Sequence, residues 1–380
     1  MRILIKEFLK IIKHPVMWGL TAIFLGYNLL VFYEYIGNKN AIEYYHELHD
    51  TILAYGINLN HPNPDFNAVT PIAESYVESV ERSRTLYDNL DMAAILEQKQ
   101  RHWNYYPITA AYENFLRDNY DKLQKRLEEI RSTDEADYGF YPGNTAGIHS
   151  FLYSKTLKML MLEMAVLMML SVLYLTDYER IHKTQDIVLP TRTGKTIMCR
   201  KIFAGICAGF LFQTLLAAVS FGTFFHCVPF RGLWKVPVST ALAAEKRSYG
   251  YYPFITFRRM SMGSYFALTL VMLVLLSIVI GLLTAAVQLL LQNSYFTFLL
   301  KAMLYLFLFL IVPGNFYSFP DILICLNPSA LWITSGCWFI ENELILSFGG
   351  NEFWCIGLWA VLSTFLLMLG KRRYIRRELL

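Results

Sequence analysis

Long apolar runs separated by charged segments dominate the pattern along the chain. A helix rises about 1.5 Å per residue, so about 20 apolar residues are needed to cross the ~30 Å hydrocarbon core of a bilayer. Six runs have about this length, at residues 16–36, 156–175, 202–226, 264–291, 296–312 and 353–370. The pattern therefore predicts six transmembrane helices.

The composition supports the same conclusion. Of the 380 residues, 55% are hydrophobic and 16% are aromatic, which is more apolar than ordinary soluble proteins. The first apolar run has a long leader and no small-x-small cleavage motif before Gly37, so we expect it to remain as a span. We predict an all-α polytopic membrane protein with an N-terminal interfacial amphipathic helix and an extracytoplasmic helical domain.

The interfacial helix is predicted from the leader, residues 1–15. Basic side chains repeat there at helical spacing, and apolar side chains occupy the other side: Arg2, Lys6, Lys10 and Lys13 against Ile5, Phe8, Leu9 and Ile12. Such a helix lies in the headgroup plane with its lysines toward anionic lipid, and Pro15 ends it. The alternative, a cytoplasmic extension of the first span, remains open.

Charge predicts the orientation, because short basic segments beside spans stay in the cytoplasm. Segments 1–15 and 176–201 each carry a net charge of +3, and the tail after the last span carries +4. The long segment 38–150 carries −8. We therefore expect a multi-pass protein of the cell (plasma) membrane with both termini in the cytoplasm.

Segment 227–263 does not follow this rule. It carries a net charge of +5, yet the number of spans places it on the same side as segment 38–150. We keep the placement that the spans require, because later loops have less influence on topology.

The acidic segment 38–150 is predicted to form a small helical domain. Thr70 followed by Pro71 predicts the start of a helix, which we expect to run through Arg101. A second helix begins near Thr109, and its apolar side chains recur at three-and-four spacing: Tyr112, Leu116, Tyr120, Leu123, Leu127 and Ile130. Two such helices can pack face to face.

Prolines and glycines interrupt segment 314–352, which predicts short helices that dip into the outer leaflet. The whole chain then divides into consecutive regions: 1–15, the cytoplasmic interfacial helix; 16–37, the first transmembrane helix; 38–150, the extracytoplasmic domain; 151–176, the second transmembrane helix; 177–201, a cytoplasmic loop; 202–370, the third to sixth transmembrane helices with outer loops 227–263 and 314–352; and 371–380, a basic tail.

The cytoplasmic loop contains a run, Gly194-Lys195-Thr196, that looks like the end of a phosphate-binding loop. Such a loop needs a second glycine five residues earlier, so that backbone N–H groups surround the phosphates. Leu189 occupies that position, and Pro190 after it has no N–H group. We therefore expect no nucleotide to bind this chain directly.

Other sequence patterns also give no catalytic or metal site. His46 and His49 are three residues apart, whereas a metalloprotease helix needs four, and no third ligand is evident. The six cysteines lack metal-type spacing, so free thiols are favoured over a Cys325–Cys337 bridge. We expect no enzymatic activity, no cofactor or metal bound by this chain, and no nucleic-acid partner.

Glu163 is the one acidic residue deep within an apolar run. A carboxylate there is costly unless it is paired or faces water, so it is a candidate functional group. A structural role is the alternative, with an ion pair to Lys158 or a hydrogen bond to a helix that carries Gln213 or Gln288. Lys301 is expected to extend its ammonium group to the interface.

The order of these elements and the loop "DYERIHKTQDIVLPTRTGKTIMCRKIFAG" together resemble the permease subunit of a type-2 ABC exporter. In that family a Glu opens a short helix after the second span, a small or polar residue and a Gly follow, and a Lys enters the third span. Glu179, Thr193, Gly194 and Lys201 stand at the matching places. The segment "LNPSALW" is similar to the family's proline-bearing outer helices.

The resemblance implies how the loop works. In the family it is a coupling helix that docks on a cytoplasmic ABC ATPase subunit, which binds ATP and Mg. Here Tyr178, Glu179, Arg180 and Lys183 would face the ATPase, and Gly194 would supply a turn. An ordinary solvated basic loop is the alternative.

The expected function is that of a permease energised by a separate ATPase and paired with a second permease, as a homodimer or heterodimer. The substrate would be hydrophobic or amphipathic, such as a bacteriocin or another membrane-active peptide, with lipid-linked compounds as the second choice. A sensor or immunity protein is the rival hypothesis, in which the acidic outer domain captures an extracellular cationic antimicrobial peptide.

Overall fold

The computed structural model describes residues 2–103, 110–141, 145–184, 187, 194–247, 250–311, 320–342 and 347–377. Within them, six helices are long and apolar enough to cross a membrane: Pro15–Tyr35, Gly147–Thr176, Ile197–Cys227, Met262–Leu291, Ser294–Ile311 and Asn351–Ile375. The chain is an all-α polytopic membrane protein, as the apolar pattern predicts.

Fifteen α-helices are numbered here in chain order over the described residues, and the six spans are α2, α8, α10, α11, α12 and α15. The bounds are α1 Arg2–Ile12, α2 Pro15–Tyr35, α3 Lys39–Tyr55, α4 Pro71–Ser83, α5 Met92–Trp103, α6 Ala110–Ser132, α7 Thr145–His149, α8 Leu157–Thr176, α9 Tyr178–Ile181, α10 Gly194–Cys227, α11 Met262–Leu291, α12 Ser294–Ile311, α13 Pro320–Cys325, α14 Pro328–Ile333 and α15 Asn351–Arg377. A π-helical segment, Ser150–Thr156, joins α7 to α8. One antiparallel hairpin pairs β1, Ala244–Arg247, with β2, Gly250–Pro253.

The second and third spans pack closely because small residues line their contact. A Cβ added at Gly205 of α10 would lie 3.0 Å from the Cα of Val172 in α8. A Cβ at Gly209, one turn further along, would lie 2.8 Å from the Ser171 hydroxyl. Glycines spaced four apart allow two helix backbones to approach in a membrane. Among the six spans of the described residues, the one that contains α8 is the most buried.

The amino-terminal helix α1 is separate from the first span. His14 has an extended backbone (φ −82°, ψ 115°) because the residue before a proline avoids the helical region. The helix is therefore interrupted between Ile12 and Pro15. One side of α1 packs on α10 and buries Glu7 and Ile11, while Ile5 and Leu9 remain exposed. The exposed apolar side is the one available to lipid.

The acidic segment forms helices α3 to α6 at one end of the spans. We call the structure at this end the head. The helix expected from Thr70 through Arg101 is instead two helices, α4 and α5. Arg131 of α6 donates hydrogen bonds to the carbonyl groups of Tyr87, Asp88 and Leu90, which holds the connection in a non-helical conformation. The apolar stripe of α6 is buried, as its spacing predicts.

The basic loop 227–263 is part of the head. Arg126 of α6 is buried, forms an ion pair with Glu135 and donates to the carbonyl of Thr256 (3.1 Å). Tyr87 donates to the carbonyl of Ser239 (2.7 Å), so the loop lies against α6 and its neighbours. This packing puts the loop on the same side as the acidic segment, which agrees with the number of spans.

The interrupted segment before the last span completes the head. It contains two short helices, α13 and α14, each with a proline at its start. The backbone N–H of Glu341 donates to the carbonyl of Ile255 (2.9 Å), and that of Phe257 donates to the carbonyl of Phe339 (3.0 Å). Three segments distant in sequence therefore meet in one unit.

Candidate functional site

A short helix follows the second span at the end opposite the head. In this helix, α9, the chain resumes a helical turn after Asp177, whose backbone (φ −105°, ψ 3°) ends α8. The hydroxyl of Thr176 bonds back to the carbonyl of Val172 (2.8 Å) in the last turn of α8. We call this end of the molecule the base.

Glu179 of α9 forms an ion pair with Lys201 of α10. The Lys201 side chain is fully buried, and the Glu179 side chain is 16% exposed. These two residues, which the family resemblance placed at matching positions, are thus in direct contact. Removing one partner of a buried ion pair leaves the other charge uncompensated, which typically costs about 3–5 kcal/mol.

Asp177 links α9 to the turn between the fourth and fifth spans. Its carboxylate accepts from Arg180 and from the hydroxyl of Ser294, each at 2.6 Å. Arg180 also donates to the carbonyl of Gln292, the residue that ends α11 in the left-handed region (φ 55°). The short helix is therefore attached to α11 and α12 as well as to α10.

Tyr178 links α9 to the amino-terminal helix. The ammonium group of Lys10 lies 4.0 Å from the centre of the Tyr178 ring, a cation–π geometry, and also bonds Glu7 at 2.7 Å. On the other side, the His182 ring lies 4.2 Å from the same tyrosine. We call these contacts, together with those of Asp177 and Glu179, the base junction. It joins α1, α8, α9, α10 and the α11–α12 turn.

The predicted ATPase-contact residues divide into two groups. Tyr178 and Glu179 are half-buried and make their contacts within the base junction. Arg180 and Lys183 are exposed, although Arg180 also has partners within the molecule.

Thr193 lies outside the described residues. Gly194 is the first residue of α10, so this helix begins inside the segment 177–201 that the sequence assigns to a loop. Lys201, expected at the end of the loop, is therefore a helical residue, and its side chain is fully buried. The turn expected at Gly194 would involve the preceding residues, which the structure does not describe.

Sequence reasoning missed two exposed isoleucines in this region. Ile181 on α9 is 55% exposed and Ile187 is 74% exposed. Ile181 is followed by the exposed His182 and Lys183, so apolar and basic side chains are exposed side by side at this point of the chain. The hydrophobicity of the two isoleucines within a charged stretch was the available signal.

Glu163 has a different partner from those expected. The side-chain amide of Asn28 in α2 donates to the Glu163 carboxylate (2.9 Å) and to the Ser220 hydroxyl of α10 (3.2 Å). Gln213 donates instead to the carbonyl of Met164, and Gln288 donates to Ser294. The three buried polar groups of Asn28, Glu163 and Ser220 join the first, second and third spans.

The two lysines near the spans also differ from expectation. Lys158 does not pair with Glu163; its ammonium group lies 5.4 Å from the centre of the Trp332 ring. Lys301 is almost fully buried and donates to the hydroxyl of Thr284 (3.1 Å), so it does not extend to the interface. The neighbouring fourth span supplies this hydroxyl, which the sequence of the fifth span cannot show.

The histidines of α3 have structural partners. His46 bonds the carbonyl of His226 (3.2 Å), and His49 bonds the carbonyl of Arg231 (2.7 Å). Over the described part of the chain, no group of three or more His, Cys, Asp or Glu side chains is arranged to hold a metal ion. No disulfide joins Cys325 to Cys337.

The fold and the base junction define a polytopic helical membrane protein whose six spans are compatible with a subunit of a membrane transporter. No protein-family model matches the sequence, and comparison with curated proteins and with solved structures finds no significant match.

Proposed function

We propose that this protein is the permease subunit of a type-2 ABC exporter, energised by a separate cytoplasmic ATPase. The observation that carries the proposal is the base junction. A four-residue helix is bound to α1, α10 and the α11–α12 turn, and it leaves Ile181, His182 and Lys183 exposed. A partner that binds this exposed face would move an element attached to several spans at once.

The base junction is suited to transmit such a movement. The ion pair of Glu179 with Lys201 and the bonds of Asp177 with Arg180 and Ser294 oppose independent sliding of α9. Packed elements of this kind move as rigid bodies rather than deform gradually. In the proposed cycle, ATP binding and hydrolysis occur in the partner, and this chain receives only displacement.

The proposed substrate is hydrophobic or amphipathic, with a membrane-active peptide as the first choice. A substrate that partitions into the bilayer can reach the spans laterally, without crossing a polar entrance. Six apolar helices, several of them largely exposed, support this route. A second permease, identical or related, completes the proposed assembly.

The test is co-purification with an ATPase encoded beside this chain, followed by measurement of ATP hydrolysis. Two variants of the exposed face, Ile181→Asp and Lys183→Glu, are expected to lower the amount of bound ATPase. Lys371→Glu is the matched control, because it reverses an exposed positive charge on a different helix, the last span. Glu179→Gln should retain the ATPase but reduce the response of hydrolysis to substrate, since the link to α10 is lost.

Two outcomes would contradict the proposal. One is that no ATPase travels with the wild-type chain. The other is that Lys183→Glu and Lys371→Glu have equal effects on binding. In either case the sensor or immunity hypothesis becomes the better one, and binding of a cationic peptide to the full-length protein is the measurement to make.

A further inference from the structure

An apolar groove of about 410 Å³ lies among the second, fourth, fifth and sixth spans and the short helix α14. Its walls include Met161 and Met169 of α8, Leu283 of α11, Tyr305 of α12 and Trp359 of α15. The volume falls within the range of small-molecule sites, roughly 300–1,000 Å³. No carboxylate is found among the described residues of its wall.

The groove is long and opens toward the bilayer. On α12 its wall extends from Phe298 to Phe309, a rise of ~17 Å at the helical repeat. Two of its residues, Leu162 and Leu306, have side chains more than half exposed, so lipid can reach it from the side. Its length and apolar wall fit an extended hydrocarbon chain better than a compact solute.

The ammonium group of Lys158 lies near the end of the groove that is closest to the head. Trp332 lines the groove and donates its indole N–H to the carbonyl of Lys158 (2.8 Å), and the Lys158 ammonium group lies 5.4 Å from its ring. Lys158 is 18 residues from Thr176, the end of α8 at the base, which corresponds to ~27 Å. This distance puts the ammonium group near the headgroup layer of the leaflet beside the head.

The Lys158 ammonium group has no carboxylate within ion-pair distance over the parts of the chain that the structure describes. The positive charge of Lys158 favours a negatively charged occupant over a zwitterionic one.

We infer that this groove binds one acyl chain of an anionic phospholipid, whose phosphate contacts Lys158. The chain occupies the apolar slot between α8, α11 and α12, and the headgroup remains at the level of Trp332. The site does not depend on the proposed transport function, since it requires only a bilayer that contains the lipid.

The test uses full-length protein in phosphatidylcholine nanodiscs with a minor fraction of phosphatidylglycerol whose acyl chains carry bromine. Bromine near Trp332 or Trp359 quenches tryptophan fluorescence. Equal amounts of brominated phosphatidylcholine serve as the zwitterionic comparison. Half-maximal quenching is expected at about fivefold less brominated phosphatidylglycerol than brominated phosphatidylcholine. This is the preference that one lysine near a membrane surface supplies.

Three variants and one control locate the site. Lys158→Gln should abolish the preference for phosphatidylglycerol, and Lys158→Arg should retain it. Lys155→Gln is the matched control, because its ammonium group lies one turn away over the Tyr35 ring at 3.4 Å, on the side of the first span. Ala302→Phe fills the groove and should remove the quenching that is caused by lipid bound there, whichever lipid is used. The quenching that remains then comes from exposed tryptophans such as Trp354.

The inference is overturned if both lipids quench the wild type equally or if the two glutamine variants behave alike. It is also overturned if Ala302→Phe leaves the quenching unchanged while the protein remains monodisperse and helical. Loss of folding in Lys158→Gln alone does not prevent the test, since Lys158→Arg and Ala302→Phe examine the charge and the slot separately.

Discussion

Glu135→Gln is expected to destabilise the head much more than the loss of an exposed carboxylate would. The Glu135 side chain is fully buried, and its carboxylate pairs with Arg126 and accepts from Ser239 of the basic loop. The substitution removes the negative charge while keeping the shape. The Arg126 guanidinium, which is 5% exposed, then retains one carboxylate, the half-exposed Glu129 at 3.0 Å.

The size of the effect follows from this geometry. Removing one partner of a buried ion pair costs about 3–5 kcal/mol, and the remaining contact with Glu129 favours the lower end. If the head loses ~3 kcal/mol of stability, the hydrogen bonds of the α6 amides would open roughly a hundredfold more often. Hydrogen exchange of the full-length protein, followed over Ala110–Ser132, measures this directly.

Glu113→Gln on the same helix is the control. Its partner Arg117 is mostly exposed, so the pair contributes at most about 1 kcal/mol. The double variant Arg126→Met with Glu135→Gln should exchange more slowly than Glu135→Gln alone, because no buried charge is left unpaired. Equal exchange in Glu135→Gln and Glu113→Gln would refute the view that the buried pair connects the basic loop to the head.

Two further predictions concern the spans and the pH dependence of the head. Gly205→Val should lower the melting temperature of the protein by several degrees, because its Cβ meets the α8 backbone, whereas Gly222→Val in the same helix, with nothing within 4 Å, should be tolerated. Burial, and secondarily the charge of Glu135, raise the pKa of Tyr87 well above its ordinary value of 10.0. The unfolded phenol ionises first, so stability from this group is complete below pH 10.0 and falls above it. Tyr87→Phe should make the alkaline loss of head stability less steep in thermal melts from pH 9 to 11, and an unchanged slope would contradict this cause.

The positions of the six spans could be predicted from sequence because they depend on a local property. A run of about 20 apolar residues is long enough to cross a bilayer, whatever the rest of the chain does. The break between α1 and α2 is also local in origin, since Pro15 restricts the residue before it. The same holds for the buried stripe of α6, which follows from helical periodicity.

The break between α4 and α5 was missed because a distant residue causes it. Residues 70–101 contain no proline after Pro71, so their sequence favours one helix. The guanidinium of Arg131 instead binds three carbonyls of the connection. Similarly, Glu163 bonds Asn28, which lies 135 residues earlier, and no local pattern marks that pair.

For the candidate site, the sequence indicated the region but not the direction of its side chains. It marked Glu179 and Lys201 as notable residues, yet only the packing of α9 against α10 shows that they bind each other and that Ile181 is left exposed. By itself the sequence determined which segments are apolar enough to span a membrane and which are charged. The tertiary structure decided which of those charges meet, because an ion pair depends on the distance between atoms in space and not on their separation along the chain.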